Sequence, residues 1–246
     1  MWRNDSGLIG KSVVVTGAAG GIGKEVAAGF AEAGAHVLAV DLPGSGLAQS
    51  GHQFLETNLT DLSTHAEIFK RAQSIAPMAA LAHCAAVLRR RDTVDEVTEE
   101  DWDLQIDVNL KATFFLNRAA YHSFKSAKTK GAIVNFASQG WWTGGFGGSV
   151  VYAARKGGVV SMTRGLARSF APDGVRVNTV SPGGVDTTML REGQDDVAMK
   201  NFISMIPMGR LAEPNEMVGA VIFLASDASS YMTGTLLNLS GGQLMY

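Results

Sequence analysis

The β-branched run Ser12-Val13-Val14-Val15 leads straight into a glycine turn, Thr16-Gly17-Ala18-Ala19-Gly20-Gly21-Ile22-Gly23. From Ile22 to Ala33 apolar residues recur at helical spacing, and the pattern stops at Gly34. His36-Val37-Leu38-Ala39-Val40 then reads as a second strand. Strand, tight turn, helix and strand in that order make a βαβ unit, which requires a parallel sheet. The alternation continues. Further strands are expected at Gln53 to Glu56, Ala79 to His83, Ala132 to Phe136, Val175 to Val180 and Leu236 to Leu239. Helices are expected at Ser63 to Ile75, Glu99 to Lys125, Val150 to Phe170 and Pro214 to Ala225. Continuously apolar strands are buried on both faces. The chain is therefore expected to be α/β, a doubly wound three-layer sandwich on a parallel sheet of about seven strands, with residues 1–246 as one domain. The stretch Gly184 to Pro207 has the least regular pattern. It follows a strand end, where α/β folds bind ligands.

The turn itself suggests a ligand. Glycine lacks Cβ, so the chain can bend tightly and bring its N–H groups close to a pyrophosphate. The N-terminus of the following helix adds unpaired donors and a favourable dipole. A plain tight turn would use the same glycines, and the spacing is G-x-x-x-G-x-G. The strand before it and the helix after it favour a dinucleotide site. Asp41 follows the second strand, 20 residues after Gly21. An acid there accepts hydrogen bonds from an adenosine ribose diol and repels a 2′-phosphate. Ala18 and Ala19 offer such a phosphate no basic partner. NAD is expected, with NADP second; a loop acid is the plainer reading of Asp41.

Tyr152-Ala153-Ala154-Arg155-Lys156 lies on an expected helix, where positions i and i+4 share one face. A neighbouring ammonium favours phenolate, which suits proton exchange with an alcohol. Spacing alone does not identify a site, because Tyr121 and Lys125 repeat it. Ser138 decides between them. It stands just past the strand ending at Phe136 and upstream of Tyr152, whereas Tyr121 and Lys125 precede that strand and read as ordinary helix surface.

Together, Thr16-Gly17 through Gly21-Ile22-Gly23, Asn109, Ser138, Tyr152, Lys156 and Pro182-Gly183 resemble the short-chain dehydrogenase/reductase family, and the likeness spans nearly the whole chain. The resemblance implies a Rossmann-like fold and these roles. Tyr152 is the general acid/base and Ser138 holds the substrate oxygen. Lys156 binds the nicotinamide ribose and eases deprotonation of the tyrosine. Asn109 holds a water in the proton relay. Gly17, Gly21, Ile22 and Gly23 cradle the pyrophosphate, and Asp41 reads the ribose. Asn58 and Leu59 fall where the family contacts adenine, and Ala85 lines the cleft. Pro182, Gly183, Val185 and Thr187 hold the nicotinamide amide. A homotetramer is also implied.

Several positions depart from the family pattern, among them Asn58, where the family often has Asp. His83-Cys84-Ala85-Ala86 stands in place of Asn-Asn-Ala-Gly, with His83 read as a packed strand-end histidine and Cys84 as a small apolar residue. Ser138 to Tyr152 spans 14 residues, one more than expected, with the extra residue placed in Gly144-Gly145-Phe146-Gly147-Gly148. Arg155 occupies a position where a small residue is common.

Composition narrows the partners. A net charge of −2 argues against nucleic acid and anionic membranes. Arg89-Arg90-Arg91 reads as a solvated loop, or as an anchor for an acidic substrate tail. One cysteine excludes an internal disulfide and a cysteine-based zinc site, and no metal is expected. Residues 1–7 lack the apolar core of a signal peptide and no membrane span is read, so a cytoplasmic location is expected. The leading reading is an NAD-dependent oxidoreductase interconverting a secondary alcohol and a ketone. The alternative is a 3-oxoacyl thioester reductase using NADPH, and a non-catalytic cofactor-binding regulator comes last. Trp141 and Trp142, and Met189, Met199, Met205 and Met208, either border the substrate or pack elsewhere.

Overall fold

The computed structural model describes residues 6–145 and 147–245. Residues 1–5, most of the stretch read for a signal peptide, and Phe146 of the glycine loop lie outside the described residues. Seven parallel strands form one sheet in the order β3-β2-β1-β4-β5-β6-β7. They are β1 Ser12–Thr16, β2 His36–Asp41, β3 Gln53–Glu56, β4 Met78–His83, β5 Gly131–Phe136, β6 Val175–Pro182 and β7 Leu236–Leu239. The order reverses between β1 and β4, which opens a crevice at the carboxyl ends of those strands.

Side chains alternate across the sheet, so each strand feeds two cores. Val13 and Val15 join Phe30 of helix α1 (Gly21–Glu32) and Val221 and Leu224 of α9 (Val218–Ala225). Val14 faces the other layer. It packs with Ile68 and Phe69 of α2 (His65–Ile75), Leu116 and Phe124 of α4 (Ala112–Ala127), and Phe170 of α6 (Val150–Phe170). All five residues of β1 are buried, as continuous apolar character requires. Among the described residues no helix is long and apolar enough to cross a membrane.

Two differences from the sequence expectation bear on function. The helix expected over Glu99 to Lys125 is interrupted. Helix α3 (Glu99–Ile106) starts at a capping box between Thr98 and Asp101, and a turn of π-helix, Asp107–Lys111, separates it from α4. Asn109 lies in that turn, and its Nδ2 donates to the Gln105 carbonyl at 2.8 Å. A side-chain bond of this kind supplies a partner that the locally widened ladder does not. Hydrophobic periodicity does not register one extra residue in a turn. The second difference is in the irregular stretch, which holds two short helices, α7 (Thr188–Arg191) and α8 (Asp196–Ser204). Thr187 and Asp195 cap them through bonds from Leu190 and Ala198 N–H. These are ordinary N-cap residues, so the signal was present in the sequence.

Candidate active site

The glycine turn sits at the crevice. Gly17 has φ +67°, and a Cβ there would come within 2.6 Å of the Ala85 nitrogen. Only glycine lets the β1 turn and the β4 end meet so closely. Gly20 stands at the N-cap of α1 and supplies no side-chain cap, and the first turn holds no acid. Its N-terminal donors therefore remain open to an anion. Asp41, at the end of β2, lies on the same turn. Its Oδ2 accepts from Ala19 N–H at 2.9 Å and its Oδ1 from Leu42 N–H at 2.8 Å. From the other side, Thr187 closes on the turn, since a Cβ at Gly21 would come within 2.8 Å of Thr187 Cγ2. The segment leading there is fixed. Pro182 O accepts from Gln139 N–H and Gly183 N–H donates to Leu239 O, each at 2.9 Å, and buried Val185 bridges to Ala212. Ile22 packs against the α1 core. Asn58 is exposed, with Oδ1 turned back onto Thr60, whereas the Leu59 side chain packs into the second core. An uncapped helix N-terminus, a glycine cradle and a carboxylate at the β2 end fit a dinucleotide. Bound there, it would be held by these residues and would supply hydride chemistry.

The departures at β4 turn out to be structural. His83 is buried, and both ring nitrogens are bonded, Nδ1 with Thr16 Oγ1 at 2.7 Å and Nε2 with Thr113 Oγ1 at 2.8 Å. Thr113 in turn donates to the Asn109 carbonyl at 2.8 Å. A buried chain of bonds therefore joins the glycine turn to the π turn. Burial, then the charge of Lys156, pushes His83 down to about 3, so it is neutral. Burial pushes the Cys84 thiol well up, which leaves it protonated and unreactive. Thr113 escaped sequence reasoning. Its one signal was the i+4 spacing from Asn109 on a helix.

The proposed catalytic residues converge at the carboxyl edge of β5. Tyr152 and Lys156 lie on α6, with Lys156 Nζ 5.7 Å from the centre of the tyrosine ring. The ammonium is buried and donates to Phe136 O at 2.6 Å. Burial, then the charge of Arg155, holds Lys156 well below the usual lysine range. Ser138 Oγ accepts from Gly140 N–H at 3.4 Å, in the first turn of α5 (Gly140–Thr143). A Cβ on Gly140 would lie 3.8 Å from Ser138 Oγ and 3.7 Å from Ala153 Cβ, so the serine is one residue's reach from the first turn of α6. Gly144 and Gly145 both take left-handed φ, +81° and +76°, between α5 and α6. Asn109 is buried, with its amide committed to structure. Oδ1 accepts from Val87 N–H at 2.8 Å, and Nδ2 donates to Val87 O at 3.0 Å as well as to Gln105 O. The decoy pair stays on the surface of α4. Lys125 Nζ bonds Asp173 at 2.9 Å and the Tyr121 ring stacks on Phe170.

The arginine run is more tied down than a solvated loop. Arg91 makes a two-pronged bond to Asp101 at 2.8 and 3.0 Å, and Arg90 donates to the carbonyls of Leu190 and Glu192 at the end of α7. Arg89 is exposed. Trp141 and Trp142 meet edge to face at 5.2 Å, and Trp142 is exposed. Met189, Met205 and Met208 are exposed as well.

A doubly wound parallel sheet with a nucleotide cradle at its switch point and a tyrosine–lysine pair at its carboxyl edge defines a nucleotide-binding oxidoreductase. The family model described as enoyl-(acyl carrier protein) reductase matches residues 17–243. The chain is 32% identical to galactitol 2-dehydrogenase (L-tagatose-forming) of Cereibacter sphaeroides, over 97% of each chain. It is 35% identical to the 3-oxoacyl-[acyl-carrier-protein] reductase of Thermotoga maritima, over 96% of this chain and 98% of the other. Among solved structures it resembles a candidate NAD(P)-dependent gluconate 5-dehydrogenase of Beutenbergia cavernae with bound NADP at low occupancy. The TM-score is 0.86 and the identity 36%, over 96% of this chain and 97% of that one. The chain belongs to the short-chain dehydrogenase/reductase family.

Proposed function

We propose that the chain is an NAD-dependent dehydrogenase/reductase that interconverts a secondary alcohol and a ketone. The observation that carries this reading is the placement of Tyr152, Lys156 and Ser138 at one sheet edge, next to the uncapped glycine turn. In oxidation, Ser138 donates a hydrogen bond to the substrate oxygen and the Tyr152 oxygen takes the alcohol proton. A bound nicotinamide would take the hydride from the same carbon, so that carbinol becomes carbonyl with one proton and one hydride accounted for. Lys156 would hold the ribose hydroxyls of a bound nicotinamide. Asn109 acts through its backbone oxygen, which keeps a second lone pair for a relay water beside the Thr113 bond. Gly17, Gly21, Ile22 and Gly23 would hold the pyrophosphate, Asn58 and Leu59 the adenine, and Ala85, Pro182, Gly183, Val185 and Thr187 the nicotinamide. Asp41 supports NAD over NADP.

A 3-oxoacyl thioester reductase using NADPH is the second reading. It is favoured by the 35% identity to the Thermotoga maritima enzyme and opposed by Asp41. A panel of secondary alcohols, sugars, ketones and 3-oxoacyl thioesters with both cofactors, read by nicotinamide absorbance, separates the two. Turnover of alcohols or sugars with NAD is expected. Turnover confined to thioesters with NADPH would replace the first reading by the second, and turnover of none would favour the non-catalytic one. A cytoplasmic homotetramer completes the proposal, with contacts through α4 and α6 and through the C-terminal region. Light scattering should return four times the 25.9 kDa chain mass, and a monomer mass would overturn it.

A further inference from the structure

Arg155 heads the fully buried large side chains, at 1% exposed, one residue before Lys156. Its guanidinium carbon lies 3.8 Å from the centre of the Tyr152 ring, against 5.7 Å for the lysine nitrogen. Nη2 donates to Val87 O at 2.6 Å, the same carbonyl that Asn109 Nδ2 holds. Nε and Nη1 are buried and have no hydrogen-bond partner of ordinary geometry among the described residues. A guanidinium that served only to fill space would leave two desolvated donors uncompensated, which is costly.

The charges around Tyr152 leave few compensating groups. On α6 they are Arg155 and Lys156. From the loop after β4 comes Arg90, whose guanidinium is held by α7 carbonyls and faces Glu192. His83 and Cys84, at the β4 edge, face Lys156 and are both uncharged. Burial lowers both Arg90 and Arg155, and a phenolate at Tyr152 would oppose that on each. Burial lowers Arg155 only to about 10, whereas Lys156 falls well below its usual value, in part because Arg155 is beside it. Of two adjacent buried cations the arginine keeps its proton, because its charge is delocalised over the guanidinium.

We infer that Arg155 is a positioning residue for the proton transfer: its guanidinium clamps the Tyr152 ring and provides the fixed positive charge facing that ring once the proton has left. The inference rests on Tyr152 being the acid/base. It gives a role to a residue that departs from the family pattern, and it shifts part of the duty ascribed to Lys156 onto its neighbour.

The test is the pH dependence of kcat/KM for alcohol oxidation in Arg155→Met and Arg155→Lys, with NADH binding measured alongside. In Arg155→Met, NADH binding and the alcohol KM should stay near the unmodified enzyme. The acid limb should move to higher pH, because removing the charge that faces the ring disfavours the phenolate. Arg155→Lys, whose buried ammonium holds its proton less well than a guanidinium, should return the limb only in part. A uniform loss of kcat at every pH, with the limb unmoved, would show a merely structural role and overturn the inference. If Arg155→Met does not fold, phenolate absorbance decides, by difference between proteins with Tyr152 and with Tyr152→Phe. A phenolate signal whose titration range is kept in Lys156→Met supports the arginine, and displacement to higher pH on removing the lysine refutes it. Turnover surviving in Tyr152→Phe would sink the acid/base reading instead, a separate outcome.

Discussion

Tyr152→Phe is expected to lose turnover by about two to four orders of magnitude while still binding NADH, because it removes one oxygen and leaves the cleft intact. The ring lies against Arg155 at 3.8 Å, and that stacking does not use the hydroxyl. Phenylalanine therefore fits the same space, and the cofactor cradle at Gly17, Gly21 and Asp41 is on other elements. The loss should fall on kcat, with the substrate KM changed little, since the proton transfer belongs to the transition state. Steady-state kinetics with fluorescence-monitored NADH titration measures both. A variant that binds NADH and keeps kcat within a few-fold of the parent would remove Tyr152 from the chemistry, and the proposed mechanism with it.

The second large effect concerns cofactor choice. Asp41 is not a free loop acid: its two oxygens take the Ala19 and Leu42 N–H groups, so the carboxylate is held rigidly at the edge of the glycine turn. A 2′-phosphate brought to within about 4 Å of it would be repelled by about 4 kcal/mol at an effective dielectric of 20. A ribose diol would instead gain charge-assisted hydrogen bonds of about 1.5–3 kcal/mol. The unmodified enzyme should therefore favour NAD by at least two orders of magnitude in kcat/KM. Asp41→Asn keeps an acceptor for the turn and removes the charge. It should lower the NAD-to-NADP ratio by about a hundredfold, mainly by admitting NADP. Equal or better use of NADP by the unmodified enzyme would refute the assignment. The solved relative from Beutenbergia cavernae, which holds NADP, makes this comparison informative.

Much of the framework was legible because it depends on local pattern. Gln53–Glu56, Leu236–Leu239 and Val150–Phe170 have the bounds that apolar runs and helical spacing predict. The glycine turn, Asp41, Ser138, Tyr152 and Lys156 were marked by residue type and order along the chain. The second tyrosine–lysine pair was set aside by its position before β5, and it does bond to Asp173 on the surface. The break in the Glu99–Lys125 helix was not legible, because one added residue in a π turn is a small shift within a pattern judged over the whole segment. The caps at Thr187 and Asp195 were legible and passed over, since apolar spacing was weak around them.

The sequence alone therefore determined the parallel sheet, its helical layers and the cast of residues at the carboxyl edge. Those follow from side-chain alternation, β-branching and glycine geometry, which act within a few neighbours. The tertiary structure decided who faces whom. It joined His83 to Thr16 and Thr113 across 67 and 30 residues of chain. It tied Arg90 and Arg91 to α7 and Asp101, and it put Arg155 under the Tyr152 ring rather than at the surface. Burial and the direction of a long side chain depend on packing between distant elements, and a charge's partner in the fold is not written beside it in the chain.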